Sequence, residues 1–130
     1  MKQIVTTALI SLLLAFPVFA EAIDPTSLPA PKRTALGKYL SAKQAYNVVA
    51  RERANILFLD VRTGAELMFV GSTSEIDFQI PFTEIAEPRA WDAKGNRIML
   101  APNPTFVADV EAALTSKKLQ KTSKVIIMCR

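Results

Sequence analysis

Histidine is missing altogether, and cysteine occurs once among the 130 residues. Without histidine there is no Ser-His-Asp or Cys-His catalytic machinery and no His-ligated metal. One thiol cannot supply the four Cys/His ligands of a structural zinc site, nor can it close an internal disulfide. No metal site is therefore expected, and no cofactor is called for. A strong charge is lacking too. Lys+Arg is 16 against Asp+Glu 12, and a net +4 is too mild to indicate a nucleic-acid partner. Internal repeats are also absent. What remains is a globular composition, 50% hydrophobic and 22% charged, at the length of one domain.

The first twenty residues, MKQIVTTALISLLLAFPVFA, place Lys2 before a nearly unbroken apolar stretch from Ile4 to Phe19. Val18 and Ala20 are small residues at the positions a signal peptidase reads. This pattern predicts a secretory signal peptide (1–20) cleaved before Glu21. The apolar run is shorter than the roughly 20 residues of a membrane span, and Pro17 interrupts its end. The mature chain is thus expected in the periplasm or outside the cell, with no stable membrane insertion. A lone unpaired thiol in an oxidising compartment raises the question of its role. Residues 21–39 carry Pro25, Pro29 and Pro31 with Lys32 and Arg33, and read as a Pro-containing leader or linker.

From Leu40 onward the pattern is that of a folded domain (40–130). Ser41 and Gln44 have capping-box spacing, and Ala45, Val48 and Val49 recur with helical period. Ile56-Leu57-Phe58-Leu59 reads as a strand buried on both faces. Thr63 to Val70 suits one or two helical turns ended by Gly71, and Ile76 to Ile80 alternates as a second strand. Arg89 to Leu100 is either a hairpin turning at Lys94-Gly95-Asn96 or an irregular loop. Asn103-Pro104 predicts a helix start, with Phe106, Val107, Val110 and Leu114 along its inner face. Lys117, Lys118 and Lys121 suit that helix's C-terminal end; they lack the aromatic interleaving of a nucleic-acid surface. Val125 to Met128 is a third buried strand. The alternation predicts an α/β fold, with a mostly parallel central sheet flanked by helices. Trp91 and Phe82 are expected in the core.

Ligands bind outside the carboxyl ends of strands in such sheets. Two segments occupy that place, Asp60-Val61-Arg62 and Cys129-Arg130. Asp60 and Arg62 are expected to fix the loop after their strand by pairing with each other's neighbours, and Arg62 and Glu66 are spaced for an ion pair on one helical turn. On residue type alone, Cys129 reads as a small buried hydrophobe. Alternatively, a thiolate there could be stabilised by backbone donors and a helix N-terminus, with no histidine required.

These residues resemble a known family. LFLDVRTGAEL, then FVG, then IPF is similar to the first half of a rhodanese domain, a sulfurtransferase fold. Asp60, Arg62, Glu66, Leu67, Gly71 and Ile80-Pro81 match the family pattern, and Ser72 stands where the family usually has histidine. LSAKQAYNVVARE resembles the family's first helix. KVIIMCR resembles the strand that delivers the catalytic cysteine into a loop patterned Cys-x-x-Gly-x-Arg. The resemblance covers Leu40 to Arg130 and stops just after that cysteine. It therefore implies a domain incomplete at its C-terminus, with apolar surface exposed on the last strand and little activity.

The resemblance further implies that Cys129 is the sulfur carrier and Arg130 part of its loop. The partners would be a small sulfur donor such as thiosulfate and a thiophilic acceptor, which could be a protein. A non-catalytic rhodanese-like binding or delivery module is the main alternative. A phosphatase or arsenate reductase on a related fold ranks below both.

Overall fold

The computed structural model describes residues 23–129. The predicted signal peptide and Arg130 lie outside the described residues. Those up to Tyr39 form a unit distinct from Leu40 onward. The leader makes two short 3-10 turns, Pro25–Ser27 and Ala30–Lys32. Asp24 caps the first by accepting from the Thr26 backbone N–H at 2.8 Å. Arg33 ties the two turns together by donating to the Leu28 and Thr26 carbonyls.

The domain is mixed α/β, with a small parallel sheet and three α-helices. Helix α1 (Ala42–Glu52) starts at the Ser41–Gln44 capping box, in which each side chain satisfies the other residue's backbone N–H. Strand β1 (Ile56–Asp60) follows and is buried along its whole length. Helix α2 (Gly64–Val70) and strand β2 (Phe78–Gln79) come next. An antiparallel excursion then intervenes: β3 (Thr83–Ile85), β4 (Trp91–Asp92), β5 (Arg97–Ile98) and β6 (Leu100–Pro102). Helix α3 (Phe106–Ser116) and strand β7 (Lys124–Met128) close the described chain.

Sheet order is β2-β1-β7, with both pairings parallel. Side chains of a strand alternate between faces, so β1 feeds two cores. Leu57 and Leu59 pack with Ile80, Ala113 and Leu114 beneath α3. Ile56 and Phe58 pack with Val49 of α1, flanked by Ile126 and Met128 of β7. An all-apolar run is what a central parallel strand covered on both faces requires.

Several expectations are corrected. Regular strand β2 covers only Phe78–Gln79, not Ile76–Ile80. The chain still runs alongside β1, with Asp77 N–H on the Phe58 carbonyl and Ile80 N–H on the Asp60 carbonyl, both at 2.9 Å. The Asp77 carboxylate accepts from Phe58 N–H (2.8 Å) and Lys117 Nζ (2.6 Å), so a side chain takes up donors at the strand's start. Lys117 is thereby a structural cation that joins the end of α3 to the sheet.

Helix α3 begins at Phe106, not at Pro104. Asn103 is committed before the helix starts: its Oδ1 accepts from Thr105 N–H at 3.0 Å, and its Nδ2 donates to the Pro81 carbonyl at 2.9 Å. The inner face of α3 uses Ala113 in place of Val107, which is exposed. Trp91 (60% exposed) and Phe82 are not core residues. Trp91 sits in the two-residue ladder with Arg97–Ile98, which has no layer over it, and Phe82 meets Phe106 edge-on at 5.2 Å. Of the two readings for Arg89–Leu100, the hairpin is correct; Asn96 adopts φ 48° in its turn.

Two neighbouring positions on one face of the sheet, one covered by α3 and one open, give a test. Leu59→Ala empties a fully buried site and should lower stability by roughly 2–5 kcal/mol in urea unfolding. Ile127→Ala, at a side chain 61% exposed on the neighbouring strand, should stay within about 0.5 kcal/mol of wild type.

Candidate active site

β1 and β7 end level with each other. Asp60 is in register with Met128, and Val61 N–H donates to the Met128 carbonyl at 3.0 Å, one step beyond the strands. Parallel pairing thus brings the chain after β1 and the chain after β7 to the same end of the sheet. Cys129 stands there and is exposed, so it is not the buried apolar side chain that its residue type favours.

The turn after β1 is built on an ion pair. Asp60 is 0% exposed and Arg62 9% exposed. Arg62 Nη2 donates to Asp60 Oδ2 at 2.6 Å, Nε donates to Oδ1 at 2.9 Å, and the Arg62 backbone N–H also donates to Oδ1 at 3.0 Å. The expected pairing with each other's neighbours is corrected here, since the two residues pair with one another. Burial pushes the Asp60 carboxyl up, but the Arg62 hydrogen bonds and charge outweigh it and hold the carboxyl below its ordinary value.

Hydrogen bonding to Asp60 raises the Arg62 pKa and burial opposes it; the charges of Asp60, Glu66 and Cys129 add to the rise. Arg62 is therefore a permanent cation at the same end of the sheet as Cys129. Its remaining bond from Nη2 reaches the Gly71 carbonyl at 3.0 Å.

Glu66 serves a second purpose beside its attraction to Arg62. Its carboxylate accepts from Thr63 N–H and Thr63 Oγ1, both at 3.0 Å, closing a capping box at the start of α2. Gly71 ends that helix at φ 79°, ψ −179°, a conformation open essentially to glycine alone. Arg130 lies outside the described residues.

Two contributors were missed by sequence reasoning. Thr63-x-x-Glu66 carries the same spacing signal as Ser41-x-x-Gln44, so this one was findable. Gln79 donates from Nε2 to the Arg62 carbonyl at 2.8 Å; the strand alternation alone carries no signal for it. Among the described residues, no group of three acidic or cysteine side chains is arranged to hold a metal, and no helix is long and apolar enough to cross a membrane. No protein-family model, curated protein or solved structure matches the chain.

Chemically, the arrangement offers one accessible sulfur beside a locked, buried cation at the carboxyl end of a parallel sheet. The acid response of the ion pair follows from its direction of shift. The folded Asp60 carboxyl titrates below the unfolded value of about 3.9. Its contribution is complete above that value and is lost as pH falls through the lower folded one. Urea unfolding across the acid range should show wild type losing stability below about pH 4. Asp60→Asn should be less stable at neutral pH by roughly 3–5 kcal/mol, because Arg62 is left buried and unpaired, and its stability should fall less steeply with acid.

Proposed function

We propose that this chain carries a rhodanese-like sulfurtransferase site, with Cys129 as the carrier of sulfane sulfur. The observation that supports it best is the level ending of β1 and β7, with an exposed thiol next to the turn fixed by the Asp60–Arg62 pair. The motif residues Asp60, Arg62 and Glu66 then act as scaffold, holding the turn and the start of α2. Cys129 is the group that reacts, and Arg130 belongs to the loop that surrounds it. The chain has no histidine to act as general base, and a thiolate is a nucleophile that works without one.

The reaction is a double displacement. The Cys129 thiolate attacks the outer sulfur of thiosulfate. A sulfur–sulfur bond forms, the donor's own bond breaks, and sulfite leaves with the bonding electron pair. Cyanide or another thiophile, a protein thiol included, then attacks the terminal sulfur of the persulfide, and the cysteine departs as thiolate. No net oxidation of the protein occurs, which suits an enzyme without a cofactor. With residues 1–20 as a secretory signal, this chemistry belongs to the periplasm or the exterior.

A second reading is a rhodanese-like module that binds or delivers without turnover. Ser72, at the position where the family pattern has histidine, favours it. Mass spectrometry separates the two. After thiosulfate treatment the chain should gain the mass of one sulfur atom, and Cys129→Ser should not. Cyanide should remove the adduct and release thiocyanate. An unmodified wild-type chain would assign it to the binding class, and a sulfur adduct surviving in the serine variant would remove Cys129 from its role.

A further inference from the structure

Helix α2 differs from the other two helices in how it is held. It is seven residues long and none of them is buried. Met68, Phe69 and Val70 are all exposed, Phe69 by 84%. A helix this short is not stable in water by its own propensity, and here packing supplies little. What holds it is concentrated at its two ends. The Thr63–Glu66 box fixes the first turn, and Arg62 Nη2 holds the Gly71 carbonyl just past the last turn.

The chain on either side is anchored independently. Upstream is the buried Asp60–Arg62 pair. Downstream, Asp77 is bonded to Phe58 through both its backbone and its carboxylate, and Glu75 pairs with Arg53 at 2.9 Å.

We propose that Gly64 to Ser74 is a lid at the carboxyl end of the sheet, hinged at Thr63 and latched by Arg62 to the Gly71 carbonyl, that opens while β1 and both cores stay folded. Opening breaks the Arg62–Gly71 bond and unwinds α2. It leaves the Asp60–Arg62 bonds in place, because Nε and one contact of Nη2 are untouched. Arg62 follows β1, whose end is level with that of β7 before Cys129, so the lid moves at the rim of the candidate active site. The inference rests on burial and hydrogen bonding and stands whether or not Cys129 carries sulfur.

Native-state hydrogen exchange on the full chain tests it. The amides of Leu67 and Gly71, which close the turns of α2, should exchange faster than those of Leu57 to Asp60. Their exchange should be nearly independent of low denaturant, as a small local opening exposes little surface. Thr63→Ala removes the cap and should speed α2 exchange about five-fold, with β1 exchange unchanged. Arg62→Lys, which keeps the charge and loses the fork, should also speed it. A common exchange rate and denaturant slope for α2 and β1 in wild type would overturn the lid, as would equal acceleration of both elements in Thr63→Ala.

Discussion

A carboxylate with no exposure to water has to be paired, and most of this molecule's functional end depends on how Asp60 is paired. Its partner is only two residues away, so the pair also bends the chain sharply as it leaves β1. The same guanidinium reaches Gly71 and so sets where α2 ends. The carbonyl of Arg62 is held in turn by Gln79 of β2. One ion pair thereby links β1, β2 and α2 at the sheet's carboxyl end, next to the strand that presents Cys129. A buried pair of this kind is weak as a source of net stability, and its consequence here is geometric. It fixes a turn that apolar packing alone would leave undefined.

The core was the most legible part of the chain, for a physical reason. Ile56 to Leu59 must be apolar at successive positions because α1 covers one face of β1 and α3 the other, and that pattern is visible without coordinates. The capping box at Ser41 is equally local. Asp60 and Arg62 stood out as loop-fixing residues at a strand end, but their pairing with one another became visible only in the structure. Legibility failed where a side chain acts across the fold. Asn103 looks like a helix cap until its Nδ2 is seen on Pro81, twenty-two residues earlier. Lys117 looks like a charge suited to a helix end, but its ammonium lies on Asp77, forty residues away. Trp91 looks like core by size alone; burying it needs a layer over the small β4–β5 ladder, which residue type cannot reveal.

At the candidate site the same division holds. Cys129 could be placed at a strand end from its apolar prefix, and its exposure could not, because exposure depends on which element covers β7. Val125 and Ile127 are exposed on the face where α3 covers Leu57 and Leu59, so α3 lies over β1 and leaves that side of β7 open. The sulfur therefore emerges from a strand covered on one side only.

The ion pair also constrains the proposed chemistry. Arg62 lies at the same end of the sheet as Cys129, yet its Nε and Nη2 are committed to Asp60 and Gly71. To grip an anionic donor such as thiosulfate with that fork, the protein would have to leave Asp60 buried and unpaired, at a cost of several kcal/mol. Direct clamping of the substrate by Arg62 is thus a poor use of the residue. Its charge is also largely neutralised by a carboxylate in direct contact, so its field at the sulfur is that of a dipole and falls off quickly. Stabilisation of an anionic sulfur in the proposed reaction therefore needs donors other than Arg62. Arg62 serves the proposed site by keeping the turn in place.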